Sequence, residues 1–286
     1  MEKWEIFNDN FQNYKSRHLP KAQFVIADIP YNLGVNAYAS SRQWYKDGGL
    51  LDGYNDGNSK EHYSDKAGKQ FFATDKNFNL AEFFHFCHNL IIKEPKEPNK
   101  AGCMLVFCAF EQQFRLIELA QKHGFKHYIN LVFRKKSSAQ VLKANMRIVG
   151  NCEYGLLFYR DKLPKFRNNG KMIMNCFEWE SDSKVDRIHP TQKPIKLLER
   201  LIALFTDPND VVIDPCCGSG STIIAARNLG RRAYGFEINK EFASKAKEWL
   251  DASYEPDLFV TMDELDKKAE IEKRKNNKNF YKLSTN

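Results

Sequence analysis

The chain has 286 residues, of which 42% are hydrophobic and 28% charged, with a mean hydropathy of −0.59. This length corresponds to about two domains or one large one, with enough chain to bury a core. No apolar run approaches the roughly 20 residues needed to cross a bilayer, and the composition excludes wholesale disorder. The N-terminal residues carry acidic side chains and lack the apolar stretch of a secretory signal, which predicts a cytoplasmic protein.

The charge balance favours a polyanionic partner without selecting one. The formal net charge is +8 and the pI is about 9.0, which suits binding to phosphates. A charge of this size is also typical of a small domain that is merely soluble. The seven cysteines include no C-x-x-C pair, which predicts buried reduced thiols and no zinc centre. His85 and His88 lie near each other in the sequence without a third ligand, so no metal site is predicted.

Strand and helix patterns alternate along the chain. Short apolar runs predict six buried strands, at Gln23–Ala27, Cys103–Ala109, Tyr128–Phe133, Tyr154–Tyr159, Val211–Ile213 and Arg232–Phe236. Apolar residues at helical spacing predict helices over residues 80–91 and, after Pro194, over residues 197–205. This alternation predicts an α/β fold with a doubly wound, mostly parallel sheet. A ligand is then expected beyond the carboxyl ends of the strands.

Three stretches do not fit the alternation. Residues 33–74 form a long polar segment that interleaves basic with aromatic side chains, a mixture suited to phosphates and unstacked bases. The alternative is a flexible surface insertion. Residues 161–187 have no clear period and are a candidate for a small recognition element, and residues 267–286 are a lysine-rich tail.

A glycine-rich turn follows the strand that ends at Ile213. The sequence DPCCGSG, residues 214–220, lies between this strand and a helical run, a geometry that lets backbone amides approach a cofactor closely. On its own such a turn is weak evidence, because tight strand-to-helix turns are common. The next strand ends at Glu237, about 20 residues further on, where a carboxylate can accept hydrogen bonds from a ribose. Together these features favour a cofactor that contains a nucleoside.

A second motif, DIPY at residues 28–31, follows the strand that ends at Ala27. Asp28 and the Ile29 carbonyl offer two acceptors for an NH₂ group, Pro30 restrains the loop, and Tyr31 offers a flat face to a planar base. Two acceptors on a conjugated amine favour the pyramidal form whose lone pair can react. The alternative is a simple turn that closes the strand.

In this order, the motifs resemble those of the DNA amino-methyltransferases that use S-adenosylmethionine, in the beta arrangement. The family's catalytic tetrapeptide, usually DPPY, precedes a distant cofactor loop, usually DPFxGSGT. Here DIPY at 28–31 is followed by HPTQKP at 189–194, DPCCGSGST at 214–222 and GFE at 235–237. FRKKSS at 133–138 with Asn151-Cys-Glu153 loosely resembles a further segment near the target base. The resemblance implies the family's Rossmann-like fold as a single methyltransferase domain over residues 1–286. Residues 33–74 are then a mobile loop, residues 161–187 a target-recognition element and residues 267–286 a basic tail.

The resemblance also implies roles for individual residues. The flipped base would be held by the tetrapeptide, Asp28, Ile29, Pro30 and Tyr31. S-adenosylmethionine would be bound by Thr191, Lys193, Asp214, Pro215, Cys216, Gly218, Ser219, Gly220 and Glu237. The implied reaction is methylation of the exocyclic N6 amine of adenine in DNA, with a homodimer and a cognate restriction endonuclease as further partners. Lys135, Lys136, Lys143 and Arg147 are candidates for phosphate contacts and equally for solvated surface.

Departures from the family pattern keep alternatives open. Ile29 replaces the first proline of the tetrapeptide, but the implied role there belongs to a backbone carbonyl that any residue has. Cys216 and Cys217 replace a phenylalanine and a variable residue, and Pro215-Cys216 also resembles the nucleophile of cytosine carbon-5 enzymes. The alternatives are a cytosine-N4 methyltransferase, an inactive DNA-binding relative, and transfer to RNA or a protein amide.

Overall fold

A computed structural model describes residues 3–31, 78–136, 140–143, 148–179 and 192–252. The strands are β1 (Trp4–Phe7), β2 (Phe24–Asp28), β3 (Cys103–Cys108), β4 (His127–Lys135), β5 (Gln140–Lys143), β6 (Ile148–Gly150), β7 (Cys152–Tyr159), β8 (Cys176–Trp179), β9 (Val211–Asp214) and β10 (Arg232–Phe236). The α-helices are α1 (Leu80–Leu90), α2 (Gln113–Lys122), α3 (Ile195–Phe205), α4 (Ser221–Asn228) and α5 (Lys240–Asp251). All six predicted strands and both predicted helices are present, with ends that differ by a few residues.

The main sheet has eight strands in the order β1-β10-β9-β2-β3-β7-β4-β8. Strand β7 is antiparallel to both of its neighbours, β3 and β4, and the other pairs are parallel. Seven strands therefore run in one direction and one runs against them. The prediction of a mostly parallel sheet is confirmed.

Helices cover both faces of this sheet. Along β2 the side chains of Phe24 and Ile26 enter one apolar core, which includes residues of α3 and α4, while Val25 and Ala27 enter the other, which includes residues of α1 and α2. Strands buried on both faces read as continuous apolar runs, which is why β2 and β3 were recognisable from sequence. The doubly wound arrangement is confirmed.

Local sequence accounts for where the helices begin. The Asn79 side chain accepts hydrogen bonds from the N–H groups of Ala81 and Glu82 at the start of α1. Asn239 caps α5 in the same way. Such caps satisfy backbone donors that the first turn of a helix leaves unpaired. Helix α3 begins directly after Pro194, as predicted.

Four strands were not predicted. Strands β1 and β8 occupy the two edges of the sheet, and β5 and β6 form a separate antiparallel pair. The stretch 161–187 is described as far as Trp179, and it supplies β8, which pairs with β4. The loop 33–74 and the tail 267–286 lie outside the described residues, and the predictions made for them stay predictions. Within the part of the chain that the structure describes, no helix is long and apolar enough to span a bilayer.

At one point in the sheet, two neighbouring strands are followed by strands that lie on opposite sides of the pair. From β2 the chain continues to β3 on one side, and from β9 it continues to β10 on the other, although β2 and β9 are themselves paired. In open α/β sheets such a switch point leaves a crevice at the carboxyl ends of the strands, where ligands bind. Both predicted motifs follow these two strands.

Candidate active site

The two motifs meet at the switch point. Strand β2 ends at Asp28 and β9 ends at Asp214, and the strands pair in parallel with Val25 opposite Ile213. Both carboxylates therefore lie at the same edge of the sheet, although 185 residues separate them in the chain. They are close enough that the Asp28 charge contributes to raising the pKa of Asp214.

The tetrapeptide is held against the end of β3. The Ile29 N–H donates a hydrogen bond to the Phe107 carbonyl at 3.4 Å, and the Ile29 side chain is only 2% exposed. The Pro30 carbonyl accepts a hydrogen bond from Gln112 Nε2 at 2.9 Å. The isoleucine that replaces the family's proline thus contributes an apolar side chain to the core, and the loop is fixed by its backbone.

The Asp28 carboxylate has one paired and one unpaired oxygen. Lys193 Nζ lies 2.5 Å from Oδ2. Oδ1 is buried and has no hydrogen-bond partner within the described part of the chain. Burial raises the pKa of Asp28, although the Lys193 ammonium opposes this shift. An unpaired buried acceptor costs about 1–3 kcal/mol, so a ligand that donates a hydrogen bond to Oδ1 recovers stability there.

Tyr31 lies beside the same carboxylate. Burial, followed by the charges of Asp28 and Glu153, raises the pKa of the Tyr31 phenol well above its ordinary value. The phenol is therefore neutral at physiological pH. Its position next to Asp28 agrees with the expectation that both residues belong to one pocket.

Lys193 is enclosed by charged and aromatic groups. Its side chain is 7% exposed, and Nζ lies 3.3 Å from Glu153 Oε2 in addition to its contact with Asp28. Nζ also lies 4.8 Å from the centre of the Phe107 ring and 5.6 Å from that of Trp179. The resemblance implies that Lys193 contacts the cofactor, and the structure places its ammonium at the Asp28 carboxylate. Thr191, its implied neighbour, lies outside the described residues.

A second lysine completes this group. Lys135 Nζ donates a hydrogen bond to Glu153 Oε1 and lies 4.6 Å from the Trp179 ring centre. Lys135 was a candidate phosphate contact, and here it pairs with a carboxylate of the site. Glu153 was named only through a loose resemblance, and Phe107 and Trp179 were not named. We refer to Asp28, Glu153, Lys135 and Lys193 as the charge cluster.

The turn after β9 is closed by hydrogen bonds from its own backbone. The Cys216 N–H donates to Asp214 Oδ1 at 2.9 Å, and the Gly218 N–H donates to Glu237 Oε2 at 3.0 Å. The other oxygen of Glu237 accepts from the Asn239 N–H at 2.7 Å. Burial raises the pKa of Asp214 to about 7. The structure thus brings Asp214, Gly218 and Glu237 together, as the sequence predicted.

The remaining residues of the turn differ in burial and in backbone conformation. Pro215 and Ser219 are buried, and Gly218 and Gly220 have positive φ angles of 50° and 79°. Burial raises the pKa of the Cys216 thiol well above its ordinary range, which disfavours the thiolate that a cytosine carbon-5 mechanism needs.

Other predicted contacts lie elsewhere. Lys136 is exposed beyond the end of β4. The side chain of Lys143 and the whole of Arg147 lie outside what the structure describes. His88 hydrogen-bonds through Nδ1 to the His123 carbonyl, and His85 through Nε2 to Asn89. Among the described residues, no three His, Cys, Asp or Glu side chains are grouped as metal ligands would be.

Comparison with known proteins identifies relatives of this chain. M.HpaI of Haemophilus parainfluenzae, a type II methyltransferase, is 41% identical over 207 residues, which are 65% of this chain and 65% of that protein. M2.DpnII of Streptococcus pneumoniae, also a type II methyltransferase, is 29% identical over 177 residues, which are 58% of this chain and 65% of that protein. The chain thus spans slightly less than two thirds of the length of these relatives.

A solved structure shows the same fold. The crystal structure of an M1.HpyAVI–SAM complex superposes with a TM-score of 0.58 at 24% identity, covering 86% of this chain and 98% of the other. The family model described as DNA methylase, of the N6 and N4 type, matches residues 22–248. Because this match includes both motifs and most of the sheet, the chain belongs to the N6/N4 DNA methylase family.

Proposed function

We propose that this protein transfers a methyl group from S-adenosylmethionine to the exocyclic N6 amine of adenine in DNA, after the base is flipped out of the duplex. The observation that carries the proposal is the buried, unpaired Oδ1 of Asp28 beside the glycine turn, at the switch point of the sheet. An amine N–H donated to this oxygen would satisfy it and would hold the amine at the cofactor crevice.

The residues of the turn fit the cofactor. The Glu237 carboxylate is oriented by two backbone N–H groups, and we propose it as the acceptor for a ribose hydroxyl. Asp214 and the turn around Gly218 would surround the methionine part. When bound, S-adenosylmethionine supplies an electrophilic methyl group on a sulfonium.

The chain's own groups orient and polarise the amine. Asp28 Oδ1 and the Ile29 carbonyl would accept hydrogen bonds from its two N–H groups, which favours the pyramidal nitrogen whose lone pair can react. Tyr31 would stack on the base and offset part of the few kcal/mol that unstacking costs. Direct transfer requires no covalent intermediate with the protein, which agrees with a protonated Cys216.

Substitution of Asp28 tests the assignment. We expect Asp28→Ala to abolish methyl transfer while calorimetry shows that S-adenosylmethionine still binds, because Asp28 is assigned to the base and, among the described residues, forms no hydrogen bond with the turn. Asp251→Ala, which removes an exposed carboxylate at the end of α5, is the matched control and should keep full activity. Retained turnover with labelled donor in Asp28→Ala would refute the role of Asp28.

The choice of adenine rests on the Asp at the first position of the tetrapeptide. In the family that the sequence resembles, the tetrapeptide of cytosine-N4 enzymes more often begins with Ser. Mass spectrometry of nucleosides from methylated duplex DNA distinguishes N6-methyladenine from N4-methylcytosine. Parallel incubations with RNA and protein test transfer to those acceptors. A chain that binds DNA but neither S-adenosylmethionine nor methyl label would instead be an inactive DNA-binding relative.

The context of the reaction is part of the same proposal. We expect a cytoplasmic protein that acts as a homodimer and belongs to a restriction-modification system with a cognate endonuclease. The homodimer follows from the resemblance, and the restriction-modification context follows from the resemblance and from the type II relatives. Light scattering of the purified chain tests the dimer, and sequencing of modified bases in a host that expresses it reports the recognition site.

A further inference from the structure

We propose that Lys193 is a positioning residue for the transfer reaction, and that Glu153 in turn positions Lys193. The inference rests on the proposed function in that the carboxylate being positioned is the one assigned to hold the amine. It is carried by the geometry of the charge cluster, in which the Lys193 ammonium bridges the carboxylates of Asp28, at the end of β2, and Glu153, near the start of β7.

The contact between Lys193 and Asp28 is one-sided. The ammonium lies at Oδ2, 2.5 Å away, and leaves Oδ1 for a different donor. A carboxylate held at one oxygen cannot turn freely, so the direction of the second oxygen is set. Lys193 therefore determines where the base amine finds its acceptor.

Lys193 is itself held from three sides. Phe107 and Trp179 place ring faces near its ammonium, and Glu153 lies 3.3 Å away. Glu153 is fixed at its other oxygen by Lys135, which also lies over Trp179. Arrangement by several neighbours restricts a long side chain that would otherwise have many rotamers.

The charges of the cluster balance. Two ammonium groups face two carboxylates, with side chains that are 7–26% exposed. Buried charges are tolerated when each is paired, and removal of one partner leaves an uncompensated charge. Without Lys193, the buried Asp28 would take up a proton more readily, and a protonated carboxyl is a poorer acceptor for the amine.

The ionisable groups that act on Asp28 are Lys193 before α3, Glu153 on β7 and Tyr31 in its own loop. Asp28 in turn acts on Cys108 at the end of β3, on Asp214 at the end of β9 and on Cys216 just after it. Among the described residues, Lys193 is the cation that lowers the pKa of Asp28. Loss of the Lys193 ammonium is therefore expected to raise the pKa of Asp28.

The experiment measures single-turnover methylation of duplex DNA by the full chain between pH 5.5 and 9. The variants are Lys193→Gln, Lys193→Arg and Glu153→Gln. Their charge-matched controls are Lys245→Gln and Glu241→Gln, which break an exposed pair on α5. We expect Lys193→Gln to lower the rate at pH 7.5 by at least 10-fold and to move the half-maximal pH upward by at least one unit. Lys193→Arg should recover most of the rate.

Glu153→Gln should act with the opposite sign on titration. Its loss removes a negative charge that raises the pKa of Asp28, so the half-maximal pH should not rise even though the rate falls because Lys193 is less well held. The controls should match the wild type. Affinity for S-adenosylmethionine should stay within threefold in every variant.

Two results would overturn the proposal. A wild-type pH profile in Lys193→Gln together with at least 10-fold weaker S-adenosylmethionine binding would assign Lys193 to the cofactor. Equal rate loss in Lys193→Gln and Lys193→Arg with no shift in profile would indicate a purely structural role.

A readout without activity separates this proposal from the proposed function. Carbon-13 NMR of labelled aspartate carboxyls, with Asp28→Asn to assign the signal, follows the ionisation of Asp28 directly. If the wild type methylates no DNA, the proposed function fails, and the NMR titration still decides whether Lys193 controls Asp28. An unchanged Asp28 titration in Lys193→Gln would refute that control.

Discussion

Substitution of two glycines with positive φ angles allows the cost of backbone strain to be distinguished from the cost of close packing. Gly220, at the end of the turn after β9, has a φ of 79°, and Gly124, after α2, has a φ of 85°. A methyl group added at Gly220 would lie 2.9 Å from Ile6 Cδ1 and 3.2 Å from Ala246 Cβ. At Gly124 the same methyl would meet nothing within 4 Å.

Gly220→Ala and Gly124→Ala therefore share the cost of backbone strain, but only Gly220→Ala also carries a packing cost. Alanine in the left-handed region costs about 1–2 kcal/mol, and the lower entropy of the unfolded chain offsets about 0.4–1 kcal/mol of this. A net loss near 1 kcal/mol is expected for both variants. Gly220→Ala adds overpacking between β1 and α5, which typically costs about 1–3 kcal/mol more. We expect total losses of about 1 kcal/mol for Gly124→Ala and about 2–4 kcal/mol for Gly220→Ala.

Equilibrium unfolding in urea measures both values, provided that the denaturant dependence of the unfolding free energy is the same in each variant. Calorimetry with S-adenosylmethionine supplies a second measure, since Gly220→Ala should weaken binding by displacing the turn and Gly124→Ala should not. Equal losses of stability at the two positions would refute the packing argument. It would mean that Ile6 and Ala246 move away at no cost.

Two further predictions concern the same turn. A methyl group at Gly235 would lie 2.8 Å from Cys217 Sγ, so we expect Gly235→Ala to lower the free energy of unfolding in urea by about 1–3 kcal/mol. The double variant Gly235→Ala/Cys217→Ala should recover part of this loss. A double variant that is no more stable than Gly235→Ala would contradict this contact. Because the pKa of Asp214 is raised from 3.8 to about 7, the folded state retains this proton in a range where the unfolded chain has lost it. Between pH 3.8 and about 7, the free energy of unfolding of the wild type relative to Asp214→Asn should therefore fall as pH rises, by at most about 1.4 kcal/mol per pH unit. The same pH dependence of unfolding in both proteins would contradict this prediction.

The sheet was predictable where its strands are buried on both faces. Every residue of β3, Cys103–Cys108, is buried, and a run of six apolar residues is a strong signal for such a strand. The motif residues Asp28 and Asp214 were predictable for a related reason, because each lies at the carboxyl end of a buried strand and these parallel strands end on the same side of the sheet. Their order in the chain then matched a family pattern.

The edge strands were not predictable in this way. Strand β8, Cys176–Trp179, has a buried phenylalanine between exposed neighbours, and its position depends on pairing with β4, more than 40 residues earlier. A four-residue segment with one buried side chain has no period that a sequence can reveal. Trp179, which lies over both lysines of the charge cluster, was missed for this reason.

The partners of Lys193 were also beyond the sequence. Asp28 and Lys193 are 165 residues apart, and Glu153 reaches them only because β7 enters the sheet between β3 and β4. The one antiparallel strand brings its first residues, including Glu153, to the edge where the parallel strands end. A motif can indicate that a lysine is functional, but the carboxylate that it contacts is set by strand order.

The charge of the site differs from the charge of the whole chain. The net charge of +8 suits DNA phosphates, yet the charge cluster is neutral, and Glu237 and the titrating Asp214 add negative charge beside it. Among the described residues, the carboxylates here would attract a cationic sulfonium and repel phosphate, so we expect the proposed contacts to the DNA backbone to lie elsewhere. The basic composition therefore agrees with the proposed DNA partner without selecting it, and the local excess of carboxylates agrees with a cationic cofactor.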